Sequence, residues 1–244
     1  MTQNWFATWF DSSYYHTLYQ HRDDAKAHFF MDNLVDYLKL PKGSTVLDLA
    51  CGKGRHSIYL AKKNLAVVGV DLSPESIAYA QQFEQENLSF RTHDMRDPIE
   101  FGSFDAIFNL FTSFGYFETE AEHIDTLLAM KNGLKNKESV LVIDFFNAKK
   151  VIHNLVLAEE KIVDGITFHI KRWVENGAII KDIRFEDKGQ DYHFQEKVHG
   201  FDLAKFQAFF ETVGFELVAT FGEHNLTAFD EQNSDRLIMV VRPK

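Results

Sequence analysis

The stretch Val46-Leu47-Asp48-Leu49-Ala50-Cys51-Gly52-Lys53-Gly54-Arg55-His56-Ser57 limits most sharply what this chain can fold into. A short apolar run with an acid in it passes through a glycine turn and enters a helical pattern. A second apolar run, Ala66-Val67-Val68-Gly69-Val70, closes on Asp71. Strand, glycine turn, helix and strand make a βαβ unit, and such a crossover lays the two strands parallel. Their carboxyl ends then meet side by side. One carries a turn without Cβ atoms, the other a carboxylate. In open α/β sheets a ligand binds in that crevice.

The alternation continues. Ser73 caps a helix with Pro74 at its first position, predicted to run to about Glu86. A third strand, 88–92, leads into His93-Asp94-Met95. Phe104 to Asn109 reads as the fourth strand, 120–135 as a helix and 139–145 as the fifth strand. Strands alternating with helices predict a parallel sheet with helices on both faces. Residues 150–200 break the pattern. Extended runs there are separated by Asp164-Gly165, Asn176-Gly177 and Lys188-Gly189, which are hairpin signals. They predict an inserted antiparallel meander of three or four strands. Asp202 then caps a helix over 203–213, and Gly214 ends it. The runs 215–221 and 236–241 lie close in sequence, with no crossover helix, and should pair as an antiparallel hairpin.

Before the sheet, Ser12 or Ser13 can cap a short helix through Tyr14, Tyr15, Leu18 and Tyr19, and Asp23 or Asp24 can begin a longer one. These helices either pack on the sheet or form a lid over its ligand. The expected layout is a helical lid over 1–40, the α/β unit over 41–149 and 201–244, and the β insertion over 150–200.

Composition narrows the partners. The net charge is −10, which disfavours nucleic acid and anionic membranes and favours a small-molecule partner. The single cysteine, Cys51, allows no disulfide within the chain, in keeping with a reducing cytoplasm. Met1 to Trp5 lacks the marks of a secretion signal, and no apolar run reaches membrane-spanning length. The 11 histidines form no metal-binding motif, so no metal is expected. Cys51 is expected to fill space in the turn, with slight acidification by the helix start as the rarer alternative.

Taken together, Asp48-x-Ala50-x-Gly52-x-Gly54, Asp71 ending the second strand, Asp94 after the third and Phe104-Asp105-Ala106-Ile107 in the fourth resemble class I S-adenosylmethionine-dependent methyltransferases. The terminal hairpin is similar to that family's last two strands. The resemblance implies a seven-stranded, mostly parallel, doubly wound sheet whose last strand is antiparallel. It implies S-adenosylmethionine as cofactor and S-adenosylhomocysteine as product. Ala50 stands where the family has its first glycine. By resemblance, Ala50, Gly52 and Gly54 let the backbone approach the methionyl part, and Asp48 lies near its ammonium. Asp71, with Leu72 beside it, accepts from the ribose hydroxyls. Asp94 accepts from the adenine amino group next to the Met95 backbone, and Asn109 faces the methionyl end. Arg22 could bind a carboxylate of either cofactor or acceptor.

A nicotinamide dinucleotide is the rival cofactor, because Asp71 lies roughly 20 residues past the first glycine. Ser57 in place of the third glycine, Asp48 before the turn and the terminal hairpin count against it. The expected activity is methyl transfer to N, O or C of a small molecule. The alternatives are a protein that binds the cofactor without transfer, and a nicotinamide oxidoreductase. Candidates for a general base are Tyr14, Tyr15, His21 and Tyr116. Phe108, Phe111, Phe114 and Phe117 are either packing residues or an aromatic wall near the sulfonium. The acceptor pocket is expected between the N-terminal helices, the 111–117 loop and the insertion. The insertion could instead form a homodimer surface.

Overall fold

A computed structural model describes residues 5–20 and 24–244. Its main sheet has seven strands. They are β1 (Thr45–Leu49), β2 (Ala66–Asp71), β3 (Leu88–Thr92), β4 (Ala106–Asn109), β5 (Val140–Phe146), β10 (Phe215–Phe221) and β11 (Arg236–Pro243). Their order across the sheet is β10-β11-β5-β4-β1-β2-β3, and only β11 runs antiparallel to its neighbours. The order reverses between β1 and β4, so their carboxyl ends flank an open crevice.

Alternating side chains fill two cores. Val46, Ala106, Val140 and Val142 point to one face, where they meet Phe30, Met31 and Leu34 of α3 (Asp24–Leu38), Leu60 of α4 (Arg55–Lys62) and Ile77 of α5 (Pro74–Ala80). Leu47, Leu49, Ile107, Leu141 and Ile143 point to the other. There they meet Leu127 and Met130 of α6 (Glu120–Gly133) and Phe206, Phe209 and Phe210 of α8 (Leu203–Val213). A buried side chain of this size contributes about 1.5–3 kcal/mol.

Local signals set most of the ends. Ser73 accepts from Ser76 N at the start of α5, and Asp202 accepts from Lys205 N at the start of α8. Gly214 ends α8 with a φ of 73°. Thr119 and Glu122 form a reciprocal cap on α6. The expected helix to Glu86 instead stops at Ala80 and passes into a single 3-10 turn over Gln81–Phe83. The fourth strand starts at Ala106, two residues later than expected.

The insertion is a second sheet of four antiparallel strands. They are β6 (Ala158–Val163), β7 (Ile166–Glu175), β8 (Ala178–Asp187) and β9 (Gln190–His199). Each of the three hairpins turns on two residues of positive φ: Asp164 and Gly165, Asn176 and Gly177, Lys188 and Gly189. Such turns match the twist of the paired strands. One short helix between β5 and β6, α7 (Ala148–His153), was not expected.

The stretch before β1 divides in two. α3 packs on the main sheet, whereas α1 (Trp5–Phe10) and α2 (Ser13–Leu18) pack on the inserted one. Trp5, Phe6, Trp9 and Leu18 share a core with Phe168, Ile170, Ile183 and Phe185. The two short helices and the second sheet therefore form one layer.

Gly69 in β2 tests how tightly the site's underside is built. A Cβ there would stand 2.6 Å from the Phe90 ring and 2.8 Å from Ser57 Oγ. Gly69→Ala should cost about 1–3 kcal/mol of unfolding free energy in urea. Phe90→Leu in the same chain should make the combined loss less than additive; strict additivity would mean that the ring is not what the methyl meets.

Candidate functional site

The glycine turn leaves β1 through two left-handed residues, Ala50 (φ 66°) and Gly52 (φ 55°), and reaches α4 through Gly54 (φ 79°). Ala50 holds this conformation against a cost of about 1–2 kcal/mol for a residue with a Cβ. The two glycines differ in purpose. A Cβ on Gly54 would stand 2.6 Å from Phe90, so this glycine lets helix and sheet close together. No atom lies within 4 Å of a Cβ built on Gly52, and Gly52 lines the large cavity above the strand ends. Gly54, expected beside the methionyl part, is not among the lining residues, although its neighbours Lys53 and Arg55 are.

Two acids sit beneath this turn. Asp71 accepts from Gly52 N at 2.8 Å on one oxygen and from Ser73 N at 2.9 Å on the other. Each oxygen keeps lone-pair capacity for another donor. Asp48 is buried and accepts from Ser57 Oγ at 2.5 Å. Burial pushes the Asp48 carboxyl up to about 6 against the Ser57 bond, and the nearby Asp71 charge adds to the rise. Burial also pushes Asp71 up, opposed by its two backbone bonds. Both acids line the cavity, so they favour a ligand that brings positive charge and hydroxyl donors.

The cavity has a volume of about 1390 Å³. A single small ligand fills roughly 300–1,000 Å³, so there is room for two partners. Leu72, Met95 and Asp94 line it near the ends of β2 and β3. Asp94 is already engaged: Arg96 donates Nη2 to it at 2.6 Å and Nε at 3.0 Å. Burial would raise the Asp94 carboxyl, but the Arg96 bonds hold it below the usual range. Arg96 also bonds Glu122 at 3.0 Å and lies over the rings of Phe6 and Phe117, tying α1 to the main sheet.

Asn109, expected to face the methionyl end, is not among the residues that line the cavity. It is fully buried, donates to Leu49 O at 3.2 Å and braces the end of β1 from below, outside the lining residues. Tyr14 also lies elsewhere: its hydroxyl donates to Asp187 at 2.9 Å, and its ring packs on Phe185 and Tyr192. Tyr15 and Tyr116 do line the cavity, beside Phe10. His21 and Arg22 lie outside the described residues. Of the four phenylalanines, Phe111 and Phe117 line the cavity, while Phe108 and Phe114 are core residues on opposite faces of the sheet. Burial pushes the Cys51 thiol well up, with Asp48 and Asp71 adding to it, so the acidified alternative fails.

Sequence reasoning missed two sets of residues. Phe111 and Thr112 have φ of 55° and 64°, a strained pair after β4. Buried Asp144 holds them: Phe111 N donates to its carboxylate at 2.8 Å and Thr112 N to its backbone carbonyl at 2.9 Å. Arg236 completes the clamp by donating to Asp144 at 2.7 Å and to Thr112 Oγ1 at 2.9 Å. No local signal marks this, because three separate segments meet. The second set is Tyr19, Glu159, Arg172, Lys181 and Glu196, which line the cavity from the insertion side. A signal existed here. Arg172, Lys181 and Glu196 take the inward parity of Ile170, Ile183 and Phe194 in their strands.

Residues 40–203 match the family described as a methyltransferase domain. The chain is 28% identical over 218 residues to YqeM of Bacillus subtilis strain 168, itself provisionally named a methyltransferase, covering 84% of this chain and 85% of that one. It is 25% identical over 186 residues to the dTDP-3-amino-3,4,6-trideoxy-alpha-D-glucopyranose N,N-dimethyltransferase of Streptomyces venezuelae, covering 73% and 78%. In structure it resembles an S-adenosylmethionine-dependent methyltransferase from Clostridium acetobutylicum ATCC 824, with a TM-score of 0.78, 18% identity and 98% of each chain covered. The nicotinamide alternative falls with these matches. The third-glycine position holds Ser57, whose hydroxyl is bound to Asp48.

Asp48 yields a pH-dependent prediction. Its carboxyl in the folded chain, at about 6, lies above the ordinary 3.8, so the native state holds the proton more tightly between those values. Stability from this group therefore rises as pH falls from about 6 to about 4, and the buried charge costs most above pH 6. Asp48→Asn should stabilise the ligand-free protein at pH 7.5 by up to about 3 kcal/mol, at 1.36 kcal/mol per pH unit. That gain should vanish near pH 4. Urea unfolding of both proteins across this range checks it; a pH-independent difference would mean that burial of charge is not the cause.

Proposed function

The chain belongs to the class I S-adenosylmethionine-dependent methyltransferases, and from that premise we propose that it methylates a small molecule, most readily at an amine nitrogen. When bound, the cofactor supplies an electrophilic methyl group on sulfonium. The single observation that carries the small-molecule reading is the cavity. The acceptor end is walled by Tyr15, Tyr116, Phe117, Lys181 and Glu196 beneath the inserted sheet, an enclosure of the size a small molecule fills. The amine preference comes from the Streptomyces venezuelae relative, which is named for dimethylating an amino sugar on nitrogen.

In this reading the chain's own residues divide the work. Gly52 leaves space for the methionyl part, and the Asp48 carboxylate offsets the charge of its ammonium. Asp71 accepts from the two ribose hydroxyls with its remaining lone pairs. Leu72 and Met95 flank the adenine. The aromatic rings of Phe10, Tyr15 and Tyr116 exclude water and present π faces to the sulfonium. Alignment is the main source of rate, worth roughly 7–11 kcal/mol in well-oriented systems. A neutral amine needs no base to attack. A hydroxyl acceptor would need one, and Tyr15 and Tyr116, which line the cavity, are the candidates, the Tyr116 hydroxyl donating to Thr112 O.

Two measurements test this. Asp71→Ala should weaken S-adenosylhomocysteine binding by about 3–6 kcal/mol in calorimetry, for two lost hydrogen bonds to a charged acceptor. Incubation with methyl-labelled cofactor should label the low-molecular-weight fraction of a cell extract. Label confined to RNA or protein would contradict the proposal.

A further inference from the structure

The inward face of the four-stranded sheet carries a row of charges in which two cations face each other at the centre. Register sets Arg172 of β7 directly opposite Lys181 of β8, and Lys181 directly opposite Glu196 of β9. Glu159 of β6 closes the other end, where Arg172 Nη2 donates to it. Read across the strands, the charges run minus, plus, plus, minus. Two like charges facing each other across an antiparallel pair are destabilising. All four side chains line the cavity.

The cations are largely withdrawn from bulk water, with side chains 18% exposed for Arg172 and 14% for Lys181. Their acidic partners stand on the outer sides. Glu196 spends one oxygen on Trp9 Nε1 and Tyr19 Oη, both at 2.7 Å. Its other oxygen stands 3.7 Å from Lys181 Nζ, beyond hydrogen-bond reach. Lys181 donates to Tyr19 Oη, yet an ammonium has three donors. Burial lowers the Lys181 pKa, Glu196 opposes that, and the facing Arg172 lowers it further. Each cation thus has its acidic partner only on its outer side, and two cations facing each other on a cavity wall would be stabilised by an anion between them.

We propose that Arg172 and Lys181 together anchor an oxyanion of the methyl acceptor, so that the acceptor carries a carboxylate or a phosphate. This rests on the reading of the cavity's insertion side as the acceptor end. An oxyanion between the two side chains turns their repulsion into two attractions. Arg172 already donates Nη1 to Val156 O and Nη2 to Glu159, so its charge and remaining N–H donors, with those of the Lys181 ammonium beyond its bond to Tyr19, supply charge-assisted hydrogen bonds. The group to be methylated then extends from this anchor toward Tyr116 and the strand ends.

The test uses the full chain saturated with S-adenosylhomocysteine. Tryptophan fluorescence is followed during titration with inorganic phosphate, with acetate, and with chloride at matched ionic strength. Trp9, bonded to Glu196 beside the pair, is a built-in reporter. Phosphate or acetate should give a saturable change that chloride does not, and the stronger of the two identifies the anion. Lys181→Met and Arg172→Gln should each weaken it by about tenfold or more, and Lys181→Arg should restore it to within about threefold. Affinity for S-adenosylhomocysteine should stay within about twofold in all three.

The inference is overturned if neither oxyanion saturates, or if both neutral variants bind it as the wild type does. A tenfold loss of S-adenosylhomocysteine affinity in Lys181→Met would also overturn it, by assigning the pair to the cofactor. Failure of the wild type to bind S-adenosylhomocysteine at all is a different result. It strikes the cofactor-end assignment, while the oxyanion titration of the same protein still judges the anchor.

Discussion

The site depends on one carboxylate. Asp71 takes the Gly52 amide on one oxygen and the Ser73 amide on the other, which fixes the turn after β1 to the start of α5 after β2. Asp71 is thus both a structural clasp and a wall of the cavity. The arrangement has a cost, because Asp48 is buried at the end of the adjacent strand and burial raises both acids. A chain with no cationic ligand to hold would gain by neutralising Asp48. Keeping two buried carboxylates side by side is the mark of a site that is completed by positive charge.

The rest of the cavity is built by elements foreign to the main sheet. α1 and α2 fuse with the inserted strands through Trp5, Trp9, Phe168 and Phe185 and bring Tyr15, Tyr19, Lys181 and Glu196 to the cavity. Arg96 bridges the two layers by gripping Asp94 and Glu122 while lying on Phe6 and Phe117. The strained pair Phe111 and Thr112, held by Asp144 and Arg236, forms the wall between them. In the proposed reading the main sheet serves the cofactor, and the added layer and strained loop serve what it reacts with.

Much of the fold was legible in the sequence because its signals are local. Ser73-Pro74, Asp202, Gly214 and the three X-Gly turns each act within a few residues, and each ends an element where expected. The helix over 74–86 was overestimated because helical spacing cannot say where a helix tightens into a 3-10 turn. That Asp48, Gly52 and Asp71 would meet at one cavity was legible because the strand ends that carry them converge in any sheet of this order. Asn109 and Gly54 stand outside the cavity lining for a shared reason: position at a strand end does not tell which side faces the cavity. Asn109 turns below to hold Leu49, and Gly54 turns to Phe90. Lys181 and Arg172 were passed over because charged residues in a strand look like a solvated face until the register shows them on the apolar side.

A crystal structure grown with S-adenosylhomocysteine measures the central claim most directly. The account predicts both ribose hydroxyls within hydrogen-bond distance of Asp71 and the homocysteine end over Gly52. The thioether sulfur should point toward Tyr116 and the inserted sheet. A nucleoside lying against Arg172 and Lys181, with Asp71 still bound only to its two amides, would contradict it.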